Sequence, residues 1–350
     1  MRWYQFIKGE IMIPRWNTAV FITLLCCLLG GCHNNNKEHV EERYVAFSAN
    51  TNTLDARLVV PHVHQSHDAI ILLIHGDGAM DHSANGYFDP VINTLTRKRY
   101  VTMSWSKPGV GESSGNWLAQ TMPQRAEEVR SAIRYLRDNG YPDNPIGVVG
   151  FSQASWVLAE LHNEPEIEFA ALVGGAANWR EQSKYTMWLR LIDEQKIHAD
   201  DHSVWSEISE LNEIEYQLIK SGYDTYQGSD LHLHPFMGTP LEDEARFNFV
   251  RTNIDSDVSL GFSQIHFPLL ALFGDSDTRV DVDHSQQIFA STIGAPDKLT
   301  QKVISNASHS LLKTDLPVRA ALYLTEDDFA PGALDALIAW LDAKAHKPAP

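Results

Sequence analysis

The stretch Ile146-Gly147-Val148-Val149-Gly150-Phe151-Ser152-Gln153-Ala154 decides how the rest of the chain is read. Its apolar, β-branched first half predicts a strand over 145–151. A helical pattern follows at once, over 153–163. A serine on so tight a strand-to-helix turn is pushed outward, and small residues two positions to either side keep the backbone from clashing. Gly150 and Ala154 are those residues. The helix also points its positive end at Ser152. A second serine, in Gly111-Glu112-Ser113-Ser114-Gly115, fits the literal pattern G-x-S-x-G better. It lies in a loop beyond strand 100–105 with Asn116 and Trp117 next, so it lacks the strand-turn-helix setting and is rejected as the nucleophile.

Outward from that turn, short apolar runs predict strands at 43–48, 54–60, 69–75, 100–105, 168–173, 267–273 and 299–304. The first two adjoin without room for a helix and read as an antiparallel hairpin. After them strand and helix alternate, which predicts an α/β fold with an eight-stranded, mostly parallel sheet and helices on both faces. Residues 121–139 are the clearest helix, with Ala126, Val129, Ile133 and Leu136 on one face, a capping box from Thr121 to Gln124, and a stop at Asn139-Gly140. Residues 88–98 form a shorter one. About 90 residues separate strands 168–173 and 267–273, far more than one crossover needs. Helical patterns near 180–197, 203–221 and 241–251 there carry Trp179, Trp188, Trp205, Tyr216, Tyr223 and Tyr226. The reading is a helical lid over 178–264, facing the substrate, between core segments 42–177 and 265–346, with a tail over 347–350.

With these elements in place the chain resembles the α/β-hydrolase superfamily over nearly all of 42–345, where alanine at the second glycine of the elbow is tolerated. His75-Gly76-Asp77-Gly78 after strand 69–75 is similar to the family's oxyanion turn. The resemblance implies that the backbone N–H groups of Asp77 and Gln153 form the oxyanion hole, each donor contributing about 3 kcal/mol to the transition state. The Asp77 carboxylate must then point away from the oxyanion. Phe273-Gly274-Asp275-Ser276-Asp277-Thr278-Arg279-Val280 resembles the segment G-x-x-D-x-x-V, which assigns Asp277 as the acid, with Asp275 and Asp281 as competitors. His309, after the last strand, is the base. The order Ser152, Asp277, His309 is that of the superfamily. Serine needs a base to become a nucleophile. A neutral imidazole accepts and returns its proton, and a buried aspartate fixes the tautomer.

Trp105-Ser106-Lys107-Pro108-Gly109-Val110-Gly111-Glu112-Ser113 occupies the place of the family's D-x-R-G-x-G-x-S loop. Ser106 and Pro108 replace its Asp and Arg, so the charged bracing of that loop is expected to be lost. His75 is expected to brace the oxyanion turn. His62, His64 and His67 read as a turn, and the His232/His234 pair has no evident sequence partner for a metal. No metal or other cofactor is expected. The closest group by resemblance is the lid-bearing bacterial carboxylesterases and serine aminopeptidases. A membrane-anchored esterase acting on small to medium carboxylic esters is the leading expectation. An amidase or peptidase, whose amine-holding acid could come from Glu207, Glu210, Glu213 or Glu215, is the second, and a non-catalytic binding lipoprotein the third.

Composition agrees with a globular enzyme: 43% of residues are apolar and 21% charged. The formal charge of −17 disfavours nucleic acid as a partner. All three cysteines, Cys26, Cys27 and Cys32, lie near the start, leaving no disulfide framework in the rest. Arg15 precedes the apolar run Thr18–Leu29, which at about 12 residues is too short to span a bilayer of about 30 Å. Residues 1–31 read as a signal peptide, and Met12 would start a more ordinary one than Met1. Leu29-Gly30-Gly31-Cys32 resembles a bacterial lipobox, which implies cleavage before Cys32, acylation of its sulfur and a tether over 32–41. Several acyl chains on one residue anchor firmly. His33 at the next position implies the outer membrane of the bacterial envelope.

Overall fold

The computed structural model describes residues 40–65, 68–321 and 323–345. The signal peptide, Cys32, His67 and the 347–350 tail lie outside the described residues. The strands are β1 (Val40–Ala49), β2 (Asn52–Pro61), β3 (Ile70–Ile74), β4 (Val101–Trp105), β5 (Ile146–Phe151), β6 (Ile167–Val173), β7 (Leu269–Gly274) and β8 (Leu299–Ile304). They form one sheet in the order β1-β2-β4-β3-β5-β6-β7-β8. β1 and β2 are the expected antiparallel hairpin, β2 runs antiparallel to β4, and every other neighbouring pair is parallel. β1 begins two residues inside the segment read as tether.

β3, β4, β5 and β7 are buried at every position, as continuous apolar runs require when helices cover both faces. Alternate residues feed opposite layers. Ile70, Leu72 and Ile74 join the core under α2 (Met122–Asp138) and α3 (Ala154–Glu160). Ile71 and Leu73 join the core with α1 (Phe88–Arg97). The Thr121–Gln124 capping box is present, and Gly140 ends the run with a φ of +102°. α3 stops at Glu160, short of the expected 163. From β3 the chain crosses to β4 on one side, and β5 returns on the other. The crevice opens at that reversal, outside the carboxyl ends of β3 and β5.

The insertion after β6 holds α4 (Trp179–Asp193), α5 (Trp205–Ser221), α6 (Tyr223–Gln227), α7 (Glu244–Asn253) and α8 (Ser259–Ser263). α4 ends earlier than expected because Gln195 adopts a φ of +58°. Two small apolar clusters hold it, one around Met187, Leu191, Ile208 and Leu211, the other around Tyr226, Phe247 and Val250. Val258 and Phe262 belong to the main core instead, so the end of the segment read as lid is part of the scaffold. α9 (Val282–Ile293) lies between β7 and β8, and α10 (Ala333–Ala345) covers the α1 face. Among the described residues no helix is long and apolar enough to cross a membrane.

Candidate active site

Ser152 directly follows β5 and holds a φ of +53°, a conformation rare for a residue with a side chain. Its N–H donates to the Val173 carbonyl at 2.8 Å, which ties the turn to β6. A Cβ on Gly150 would stand 2.8 Å from that of Ala154. The alanine is therefore accommodated only because its partner is glycine.

His309 lies in the loop after β8, with Nδ1 2.8 Å from Asp277 Oδ2. Asp277 is 5% exposed, and its Oδ1 accepts the N–H groups of Arg279 and Val280 at 2.7 and 3.0 Å. Gly174 makes room for the ring, since a Cβ there would come within 2.9 Å of His309 Nδ1. Asp281 instead caps α9 through the His284 N–H, and Asp275 accepts from Ser276 Oγ and the Ala307 N–H. Of the three competing carboxylates, Asp277 is the one on His309. Ser152 and His309 line the same cavity of about 510 Å³, with Met80, Tyr87, Phe88 and Val173 among its walls. Among the described residues no hydrogen bond joins Ser152 Oγ to His309; such contacts are often long in a free site.

Gly76 and Asp77 follow β3, and a Cβ on Gly76 would lie 3.2 Å from that of Ser152. Neither the Asp77 N–H nor the Gln153 N–H meets a protein acceptor among the described residues. The Asp77 carboxylate turns to Arg246 of α7, whose two Nη atoms donate at 2.9 and 2.5 Å. Burial pushes the Asp77 carboxyl up, but Arg246 outweighs it and holds the group below the ordinary carboxylate range. His75 braces the turn through Nε2 on the Asp81 carbonyl at 2.7 Å. Burial, aided by the Lys107 charge, pushes its pKa down to about 3, so the ring is neutral.

The expected loss of charged bracing is corrected. Lys107, between the two substituted positions, is buried and donates from Nζ to the Gly76 carbonyl at 2.6 Å. The missing acid is replaced from β2, where Asp55 accepts from Ser106 Oγ at 2.9 Å. Ser113 is a buried strut, donating to the Ser106 carbonyl and accepting the Asp55 N–H.

Trp179 stacks on Trp156 of α3, centroids 4.9 Å apart, and both border a second cavity of about 200 Å³ with Ser152, Gln153, Thr186 and Arg246. Trp188 and Trp205 do not line either cavity at Ser152. They face a separate groove, so of the three tryptophans in the segment read as lid Trp179 alone borders a Ser152 cavity. Asp77 is the one acid lining either Ser152 cavity; Glu207 faces His234, Glu213 pairs with Arg180, and Glu215 accepts from Tyr226. His232 lies on the Tyr226 carbonyl, and His234 accepts the Phe236 N–H.

Sequence reasoning missed Lys107, Arg125 and Arg246. Arg125 sits one residue before Ala126 and four before Val129, on the inward side of α2, and that placement was the available signal.

No family model matches the sequence, and no curated protein matches it. Solved structures do. Est1E of Butyrivibrio proteoclasticus, solved with ferulic acid bound, superposes with a TM-score of 0.55 at 14% identity, over 87% of this chain and 100% of that one. A proline iminopeptidase of Mycobacterium smegmatis gives 0.55 at 15%, over 87% and 98%. An esterase of Pyrococcus furiosus gives 0.53 at 15%, over 87% and 90%. The likeness, with the strand order and the elbow, defines the class: the chain has the α/β-hydrolase fold.

Proposed function

We propose that this chain is a serine hydrolase that cleaves small to medium carboxylic esters through an acyl-serine intermediate. The observation that carries the reading is the Asp277–His309 pair, whose imidazole lines one cavity with Ser152, beside two backbone N–H groups that meet no protein acceptor among the described residues. Ser152 Oγ attacks the ester carbonyl carbon as its proton passes to His309 Nε2. The carbonyl electron pair moves onto oxygen, where the Asp77 and Gln153 N–H groups receive the charge. Collapse breaks the bond to the alcohol, which takes the proton from His309. Water then repeats the sequence on the acyl-serine, releasing the acid and returning the proton to Ser152. Asp277 holds the tautomer and steadies the imidazolium throughout.

Two features favour esters over aminoacyl amides. The 510 Å³ cavity beside His309 offers Met80, Phe88, Phe151 and Val173 to an apolar moiety, and among the described residues the one acid at either cavity, Asp77, is paired with Arg246 rather than open to a free amine. Within the segment 178–264, α4 and α7 act as a lid through Trp179 and Arg246, which border a Ser152 cavity. By its sequence the chain is acylated at Cys32 and anchored in the bacterial envelope, at the outer membrane.

A fluorophosphonate probe tests the class: labelling is expected in the wild type and lost in Ser152→Ala. Folded wild type that takes no label would point to a binding lipoprotein. An ester panel of rising acyl length, beside aminoacyl amides, tests the substrate, and faster amide cleavage would make it a peptidase. Cys32→Ser is expected to release the protein from membranes; retention would remove the lipid anchor from the account.

A further inference from the structure

We propose that Lys107 and Arg125 are positioning residues that hold both arms of the oxyanion hole from behind, Lys107 also polarising the Asp77 arm, without touching substrate. This rests on the hydrolase reading above. The peptide unit between Gly76 and Asp77 is one planar amide, carrying the Gly76 carbonyl on one edge and the Asp77 N–H on the other. Lys107 Nζ donates to that carbonyl at 2.6 Å. A cation on the oxygen fixes the plane of the amide and draws density from its nitrogen, and hydrogen bonds linked in this way strengthen one another. The Asp77 N–H is thereby aimed and made a better donor.

Arg125 joins that arm to the other. Its Nη2 donates to the His75 carbonyl, one peptide earlier in the same turn, at 2.6 Å. Its Nη1 donates to Oε1 of Gln153, the residue that supplies the second N–H, at 2.5 Å. A planar guanidinium is a rigid fork, so a single group sets the spacing between the two segments that must receive one oxygen atom.

Both side chains are buried, Lys107 at 2% exposed and Arg125 at 4%. Burying cations is costly unless they are well paired. Burial pushes the Lys107 ammonium well below its ordinary range and the Arg125 charge adds to that, while Asp77 and Glu128 oppose it; burial likewise lowers Arg125 against the pull of Glu128, which is itself engaged by Trp105 and Gln120. Neither cation lines the cavities at Ser152, so direct contact with substrate does not account for their placement.

The test uses the full chain in detergent, as wild type, Lys107→Met, Arg125→Met and Arg125→Lys. The two Met variants are expected to lose about 10²-fold in kcat on an activated ester, the scale of one lost oxyanion donor, with KM changed by less than about threefold. Arg125→Lys, which keeps the charge but only one arm of the fork, should recover about a tenth of the lost rate. A trifluoromethyl ketone places an oxyanion in the hole on adding to Ser152, whereas the matching alcohol forms no adduct. Affinity for the ketone should fall in step with kcat while affinity for the alcohol stays put.

Folded variants with kcat within about threefold of wild type, or equal weakening of both ligands, would overturn the proposal. Should a Met variant fail to fold, Arg125→Lys decides alone: weaker ketone binding at an unchanged melting temperature supports positioning, and unchanged binding refutes it. Wild type that neither hydrolyses esters nor labels at Ser152 defeats the hydrolase reading first and takes the positioning role with it. Labelled, active wild type with indifferent variants defeats only the positioning role.

Discussion

In the sheet, Ile70 to Ile74 are buried at every position and pack alternately into two large cores. In the insertion, two small apolar clusters are supplemented by contacts between charges and rings: Arg180 to Glu213, Lys220 to Asp255, and the Arg180 guanidinium 4.1 Å from the Tyr216 ring. Burial of apolar surface scales with area and is not weakened by the counterion screening that acts on charges. Exposed ion pairs are worth about 1 kcal/mol or less and are screened by salt. A rigid floor for the chemistry and a more easily released cover follow from that difference, and they are separable by experiment.

The largest contrast is in packing. Leu72→Ala should cost about 2–5 kcal/mol of global stability in urea unfolding. Leu191→Ala removes an equally buried side chain from the insertion, yet its cost should be confined to α4 and α5. Hydrogen exchange would show it as faster exchange there with the strands still protected; equal loss in the sheet would mean the two regions unfold as one.

One buried group in each region should respond to acid, the two in opposite senses. His75 stays neutral in the fold, with its pKa pushed down to about 3. The unfolded chain therefore takes up a proton that the native sheet region refuses, and stability falls as pH drops below 6.5 towards 3. The slope approaches about 1.4 kcal/mol per pH unit, and His75→Gln should flatten it. Burial raises the Glu215 carboxyl in the insertion. Its contribution is therefore full below the ordinary carboxylate range and fades as pH rises through the raised value. Protection factors in α5 and α6, taken against the intrinsic exchange rate at each pH, should rise on acidification in the wild type, and Glu215→Gln should remove that response.

Smallest is the tie between the regions. Arg246→Ala breaks the pair with Asp77, whose partners are 30% and 40% exposed. It should shift stability by at most about 1 kcal/mol in a thermal melt, with the difference shrinking in high salt. A much larger shift would make the pair part of the scaffold.

The same contrast explains what could be read from the sequence. The strands were legible because runs such as Ile70–Ile74 and Leu269–Phe273 can be buried only between two layers. α2 was legible because its cap and its apolar face agree. α6 and α8 were not, being five residues each and too short to show a period. Ser152, Asp277 and His309 stood out through their setting in turns after strands. The cations behind the oxyanion turn did not, because a charge in an amphipathic helix reads as a wetted face. Lys107 has no marked place in the loop pattern D-x-R-G-x-G-x-S, which specifies only its neighbours, and nothing in a one-dimensional pattern says which acid Arg246 will meet.

The stacked indoles of Trp156 and Trp179, rings 14° from parallel, join the helix after the elbow to the first residue of α4. Fluorophores that close share their excited states, so the molecule carries a built-in optical gauge. A change in the seating of α4 over Ser152 should alter the exciton signal of this one pair in circular dichroism, and Trp179→Phe should remove that signal while the other tryptophans stay in place.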